Sequence, residues 1–232
     1  VYKRIAHELI RAPPMEKLNE QKSPAQEQYL ELRMVLFKLV SELTELDPNG
    51  THTQEFERYL LISHFSQLRL ITESHDLKPI AAKIAISLLR YTIDVPVDKA
   101  FYDAGYACRE QGWMNMAFVY FNRFVDLTDL MSDPDSGDID NSDFIDTDIP
   151  SPFKLPLPTK QYYSEDIREE TREWVLEKAM SNDVGQQLTM RICEKCNKET
   201  YEASLCCHHC QYTHIPCIIT GYPVLKNKKV NS

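Results

Sequence analysis

Six of the seven cysteines lie between residues 193 and 217, as Cys193-x-x-Cys196, Cys206-Cys207-x-x-Cys210 and Cys217, interleaved with His208, His209 and His214. Thiolate and imidazole are zinc's preferred ligands, four at a time in a tetrahedron. A Cys-x-x-Cys turn sets two sulfurs on one side of a metal, and two such turns complete the site. The spacing therefore predicts one structural zinc held by Cys193, Cys196, Cys207 and Cys210 in a zinc-ribbon arrangement. Ten residues separate Cys196 from Cys207, room for a short strand-turn-strand using Thr200, Tyr201 and the region of Leu205. Cys206 stands one residue too far from Cys210 to make the same turn and is the poorer ligand. His208, His209, His214 and Cys217 are substitutes or bystanders. The competing reading is a cysteine-rich apolar loop, because free cysteine packs as a small buried hydrophobe. Four protein ligands leave no open coordination position, so the metal's role would be structural. A module this small needs a metal or a neighbouring domain to fold. The odd cysteine count, the pairing and the absence of cysteine before residue 108 fit a reducing compartment better than a disulfide framework.

No other chemistry of this kind stands out. There is no phosphate-binding loop, no glycine-rich fingerprint and no nucleophile beside a base motif, which argues against an ordinary enzyme. The net charge is −9, with seven aspartates and no base between residues 131 and 150. An acidic chain without a basic stripe argues against nucleic acid as the main partner. No run of about 18 apolar residues marks a transmembrane segment. Val1 to His7 resembles neither a signal peptide nor a chain start, and reads as the middle of a helix in a longer protein.

The elements that would position the cysteines are helices. A helix reaches residue 12 and stops at Pro13-Pro14. Ser23-Pro24-Ala25-Gln26 opens the next with a capping box. It runs to about Leu46 with one apolar stripe at Leu32, Leu36, Leu39, Leu43 and Leu46, and a second at Leu30, Met34, Phe37 and Val40. Two stripes predict two buried sides, as in a stacked array. Thr51-His52-Thr53-Gln54 offers another capping box for a helix with Leu61, Phe65, Leu68 and Ile71 inward. A third starts near Pro79 and buries Ile80, Ile84, Leu88 and Tyr91. A fourth runs from Pro96 to Gln111 and a fifth from Met114 to Met131. Phe101, Gly105, Gly112, Ala117 and Phe121 fill the places of a tetratricopeptide (TPR) helix pair, although Phe124 replaces its usual alanine. Helix pairing without repeat identity is the alternative.

Residues 131–160 combine the aspartates with five prolines, which forbids regular structure. Ile139, Phe144, Ile145, Ile149, Phe153, Leu155 and Leu157 are too apolar for a plain spacer. They predict a strap docked on the helices, with Phe144 and Phe153 as anchors. Ser164 caps a further helix to about Asn182, with Ile167, Trp174 and Val175 inward.

Four phrases then carry a resemblance: Asp143-Phe-x-Asp146-Thr147-Asp148-Ile149-Pro150, Trp174-Val175-Leu176, Tyr201-Glu-Ala-Ser-Leu205 and Pro216-Cys217-Ile-Ile-Thr220-Gly221-Tyr222-Pro223-Val224-Leu225. In order and spacing they resemble the C-terminal region of the largest-subunit family of intraflagellar transport complex B, over about residues 100–225. Residue patterns and resemblance together predict a mostly α fold: a TPR-like solenoid end over 1–130, the acidic strap over 131–160, a linking helix within 161–190, and a small module over 191–232 that the cysteines make zinc-ribbon-like and the resemblance makes U-box-like. The resemblance implies a non-enzymatic scaffold or adaptor in trains that carry cargo along ciliary microtubules for cilium assembly. The implied partners are other complex B subunits and complex A. The implied places are the cilium or flagellum, at its base and axoneme, and the cytoplasm. The alternative it implies is a ubiquitin-pathway module, in which Ile218, Pro223 and Val224 face ubiquitin or a ubiquitin-conjugating enzyme. U-boxes use no zinc, so the metal rests on this chain's own cysteines.

Overall fold

The computed structural model describes residues 3–4, 7–8, 24–133, 139–151, 161–181 and 183–225. The helix reading over 1–12, the Ser23 cap and its Gln26 partner, and the Phe153 anchor lie wholly or partly outside that set. Six helices carry the described chain: α1 Pro24–Leu46, α2 Thr51–Ser74, α3 Lys78–Leu88, α4 Val97–Gln111, α5 Met114–Ser132 and α6 Glu165–Ser181. A two-stranded antiparallel sheet follows, β1 Met190–Ile192 and β2 Glu199–Tyr201.

Each helix packs chiefly on its neighbours in sequence: α1 on α2, α2 on α3, α3 on α4, α4 on α5, α5 on α6. That pattern is consistent with a helical solenoid, in which each unit meets the next rather than a common centre. Local signals set the breaks. Gly112 ends α4 in the left-handed region, φ 82°, with its N–H donating to Arg109 O. Left-handed backbone of this kind strains any residue with a Cβ. Pro96 stands before the first turn of α4, and α3 carries Pro79 in its first turn, where the missing N–H costs nothing. The second capping box does not form. Gly50 is the N-cap of α2 without a side-chain bond, and Thr53 Oγ1 instead donates 2.8 Å back to Asp47 O in the preceding turn.

The TPR-like residues act as their sizes require. Phe101, Ala117 and Phe121 are buried. A Cβ on Gly105 would sit 2.5 Å from Phe121 Cδ1, so only glycine lets α4 and α5 approach this closely. Phe124, the departure from the repeat, is fully buried with Tyr102 at 5.2 Å and Tyr163 at 6.1 Å between ring centroids. Tyr102 and Tyr163 thus pack around a ring where the repeat has a small residue.

The α1 striping needs correction. Leu32, Leu36 and Val40 are buried, but Leu30, Met34 and Phe37 are 39%, 57% and 63% exposed, and Leu46 is exposed too. Among the described residues α1 packs mainly on α2, so one face suffices. Burial on two sides begins with α2, which has Tyr59 and Ile62 in the main core and Phe65 against Ile84 and Leu88 of α3.

In the strap, Ile139, Phe144 and Ile149 join the main core. Phe144 meets Phe101 edge-on at 5.4 Å, and the Arg123 guanidinium lies 4.6 Å over its ring. The core then continues past the helices to Tyr201, Ala203 and Tyr222.

Candidate metal centre

The cysteines sit on backbone turns that the hairpin and its successor create. β1 and β2 pair with Arg191 opposite Thr200, and the turn joining them holds Cys193 and Cys196. The strands therefore flank the first Cys-x-x-Cys turn. They do not lie between the two turns as a pair, although Thr200 and Tyr201 are strand residues as expected. Cys193 N–H donates 2.8 Å to Lys198 O, and Asn197 N–H returns 3.0 Å to Cys193 O. The second turn repeats this, with Cys207 N–H to Tyr212 O at 3.0 Å and Gln211 N–H to Cys207 O at 2.8 Å. A bridge between Cys206 and Thr213 closes its stem.

These turns bring the sulfurs of Cys193, Cys196, Cys207 and Cys210 within 4.8 Å of one another. Cys193 to Cys210 is 3.8 Å and Cys196 to Cys207 is 3.8 Å. A tetrahedron with metal–sulfur bonds of about 2.3 Å has edges of about 3.8 Å, so the donor set fits a four-thiolate zinc. Cys193 and Cys207 are buried, while Cys196 and Cys210 are partly open. Cys206 points away, toward Gln211 Oε1 at 3.6 Å. His208 lies 3.6 Å from Asp146 of the strap.

The thiols share protons unequally. Burial raises Cys193, but the N–H groups of Cys196 and Lys195 and the thiols of Cys207 and Cys196 bring it down to about 6. At Cys210 the Tyr212 N–H favours the thiolate, yet burial and the three neighbouring sulfurs lift it to about 12. One thiolate is thus already favoured near neutral pH, and a metal would displace protons from the rest.

The cluster is fixed to the helices by polar groups that sequence reading missed. Arg90 Nε donates 2.9 Å to Asp148 Oδ2 of the strap, and its Nη2 donates to Ala203 O of the module. Asp148 also accepts the Leu205 N–H at 2.8 Å. Buried Tyr120 and Tyr201 share a hydroxyl hydrogen bond of 2.5 Å. Nothing in residue spacing pairs Arg90 with an aspartate 58 positions away.

A protein 42% identical over 98% of this chain is the Rattus norvegicus intraflagellar transport protein 172 homolog. The chain matches a segment of intraflagellar transport protein 172. The Homo sapiens homolog is 41% identical over 98% of the chain, and the Chlamydomonas reinhardtii protein 42% over 86%. The chain spans 12% of the length of each of these relatives. No family model matches it.

The Pro216–Leu225 phrase folds as a third turn beside the two cysteine turns. Pro216 bridges Pro223 across its base. Ile218 and Val224 are 76% and 51% exposed, and Pro223 is half-buried beside them. No helix among the described residues is long and apolar enough to cross a membrane.

Proposed function

We propose that this chain is part of a structural, non-enzymatic adaptor subunit of the intraflagellar transport train, within complex B, serving cilium assembly and cargo movement along ciliary microtubules. The identity of 41–42% across 98% of the chain to intraflagellar transport protein 172 homologs carries this reading. The helical array suits it, since stacked helices offer long surfaces for other complex B subunits and for complex A. Cys193, Cys196, Cys207 and Cys210 hold a structural zinc that cross-links the two turns. The protein works in the cilium or flagellum, at its base and along the axoneme, and in the cytoplasm. The test replaces the matching segment of the Chlamydomonas reinhardtii protein with this chain. Flagella of normal length with moving trains support the reading, and bald cells with a stably expressed chimera overturn it.

A second reading is favoured by the exposure of Ile218 and Val224 around Pro223. A ubiquitin-conjugating enzyme or ubiquitin itself would meet this apolar edge. Titration of the chain with each should shift Ile218 and Val224 methyl signals, and silence from both would remove the reading.

A further inference from the structure

The hydrogen-bond pattern of the two cysteine turns occurs a third time. Cys217 N–H donates 2.7 Å to Tyr222 O, and Gly221 N–H donates 2.7 Å to Cys217 O. These are the same one-to-six and five-to-one bonds made at Cys193 and Cys207. The fifth residue is left-handed in all three turns, with φ of 57° at Asn197, 56° at Gln211 and 71° at Gly221. The third turn has Thr220 where the others have their second cysteine, so it offers one sulfur rather than two.

The helical array stands against this turn. Ser87 Oγ donates 2.7 Å to Thr220 O, and the His64 ring Nε2 is 2.7 Å from Ile218 O. A Cβ on Gly221 would lie 2.6 Å from Ser87 Cβ and 3.2 Å from Phe65 Cζ. Ser87 and Phe65 are themselves buried, so the seat is built into α2 and α3 rather than being a chance surface contact. Tyr222 follows directly into the main core, with Lys83 Nζ 5.1 Å from its ring centroid.

We propose that Cys217–Gly221 is a docking knuckle, and that His64, Phe65 and Ser87 form its receptor. The receptor holds the third turn as the metal holds the first two. This rests on the metal reading for those two turns. Beside the Arg90 joint, the C-terminal module therefore has two separable supports, the metal for the turns of residues 193–213 and the helical seat for residues 216–222. Asn197 and Gln211 hold the same left-handed backbone in the other two turns, so what requires a glycine at 221 is its closeness to Ser87.

Amide exchange followed by NMR on the whole chain tests this, with metal loaded and with metal stripped by a chelator. Stripping should speed exchange at Cys193, Asn197, Cys207 and Gln211 by about tenfold or more, and change Cys217 and Gly221 by less than about twofold. Gly221→Ala should do the reverse: fast exchange at positions 217 and 221, with metal content unchanged. Ser87→Ala, which removes one donor and adds no bulk, should act in the same direction more weakly. Protection within α4 and α5 checks that each variant is folded. If stripping frees Cys217 and Gly221 together with the first two turns, or if Gly221→Ala releases the metal, the two supports are one and the proposal fails. A wild-type chain that binds no metal overturns the metal reading instead. The seat is then decided by the variants alone, because unchanged exchange at 217 and 221 in Gly221→Ala overturns it.

Discussion

Replacing Arg90 by methionine should loosen the joint between helices, strap and module. Methionine keeps most of the apolar stem and removes the guanidinium. Three hydrogen bonds are lost, to Asp148 Oδ2, to Ala203 O and to Ser87 O. Asp148 is left with the Leu205 N–H as its remaining side-chain partner among those described here. The Arg90 and Asp148 side chains are only 9% and 18% exposed, so water replaces little of what is removed. Breaking a buried ion pair from one side costs about 3–5 kcal/mol, and the partial exposure of Asp148 places this case near about 3 kcal/mol. That is on the order of a hundredfold in the opening equilibrium of the joint. Amide exchange at Asp148, whose N–H donates to Ser204 Oγ, and at Leu205 reports it directly. A double-mutant cycle with Asp148→Asn isolates the pair, since asparagine still accepts from Leu205, and should give a coupling of about 2 kcal/mol. A coupling below about 0.5 kcal/mol, or less than about threefold faster exchange in Arg90→Met, would refute the reasoning.

Gly105→Ala should destabilise by about 1–2 kcal/mol in urea unfolding, because overpacking against Phe121 outweighs a helix-propensity gain of about 1 kcal/mol. The Phe121 ring cannot easily yield, since Trp174 lies edge-on to it at 5.3 Å; a stabilised variant would show that it does. Elemental analysis after dialysis should find about one zinc per chain in wild type and in Cys206→Ser, and none in Cys196→Ser. Asp103 should make the protein acid-sensitive. Burial opposes its charge, but Arg69, Lys99 and the Tyr163 hydroxyl hold it down to about 2. Its folded value is depressed, so its contribution is complete above the ordinary carboxylate range. That contribution, on the order of 2 kcal/mol, is lost as pH falls from about 4 to 2. Asp103→Asn should flatten the stability profile across that window, and an unchanged profile would count against the assignment.

The parts of this fold that could be read from sequence are those in which one residue type answers a local geometric demand. Gly105, Gly112 and Ala117 mark helix approach and helix end because a side chain there would collide or strain. The cysteine pairs mark their cluster because a two-residue gap fits one metal edge. The third turn was also legible in principle. Cys193-x-x-Cys196-Asn197 and Cys217-x-x-Thr220-Gly221 both put a residue tolerant of left-handed backbone in the fifth place. Looking for metal ligands alone hid it, since Thr220 is not one. The α1 stripes misled for a related reason: apolar spacing shows which side chains share a face, but not whether another helix covers that face.

The acidic strap shows the limit most clearly. Seven like charges read as mutual repulsion when only the segment is in view. In the fold the described aspartates face separate partners. Asp148 meets Arg90, Asp143 accepts from Gln186 at 2.8 Å, and Asp140 accepts the Ser142 N–H at 2.9 Å. Arg123 donates to Asn141 Oδ1 and Asp140 O while covering Phe144. The apolar anchors supply the burial, and the distant arginines and amides direct which backbone carbonyls and carboxylates sit beside them. Charge that opposes order within the segment thereby helps to fix its register, through Asp148 against Arg90 just past α3 and the Leu205 N–H, and through Asp146 beside His208 of the second cysteine turn.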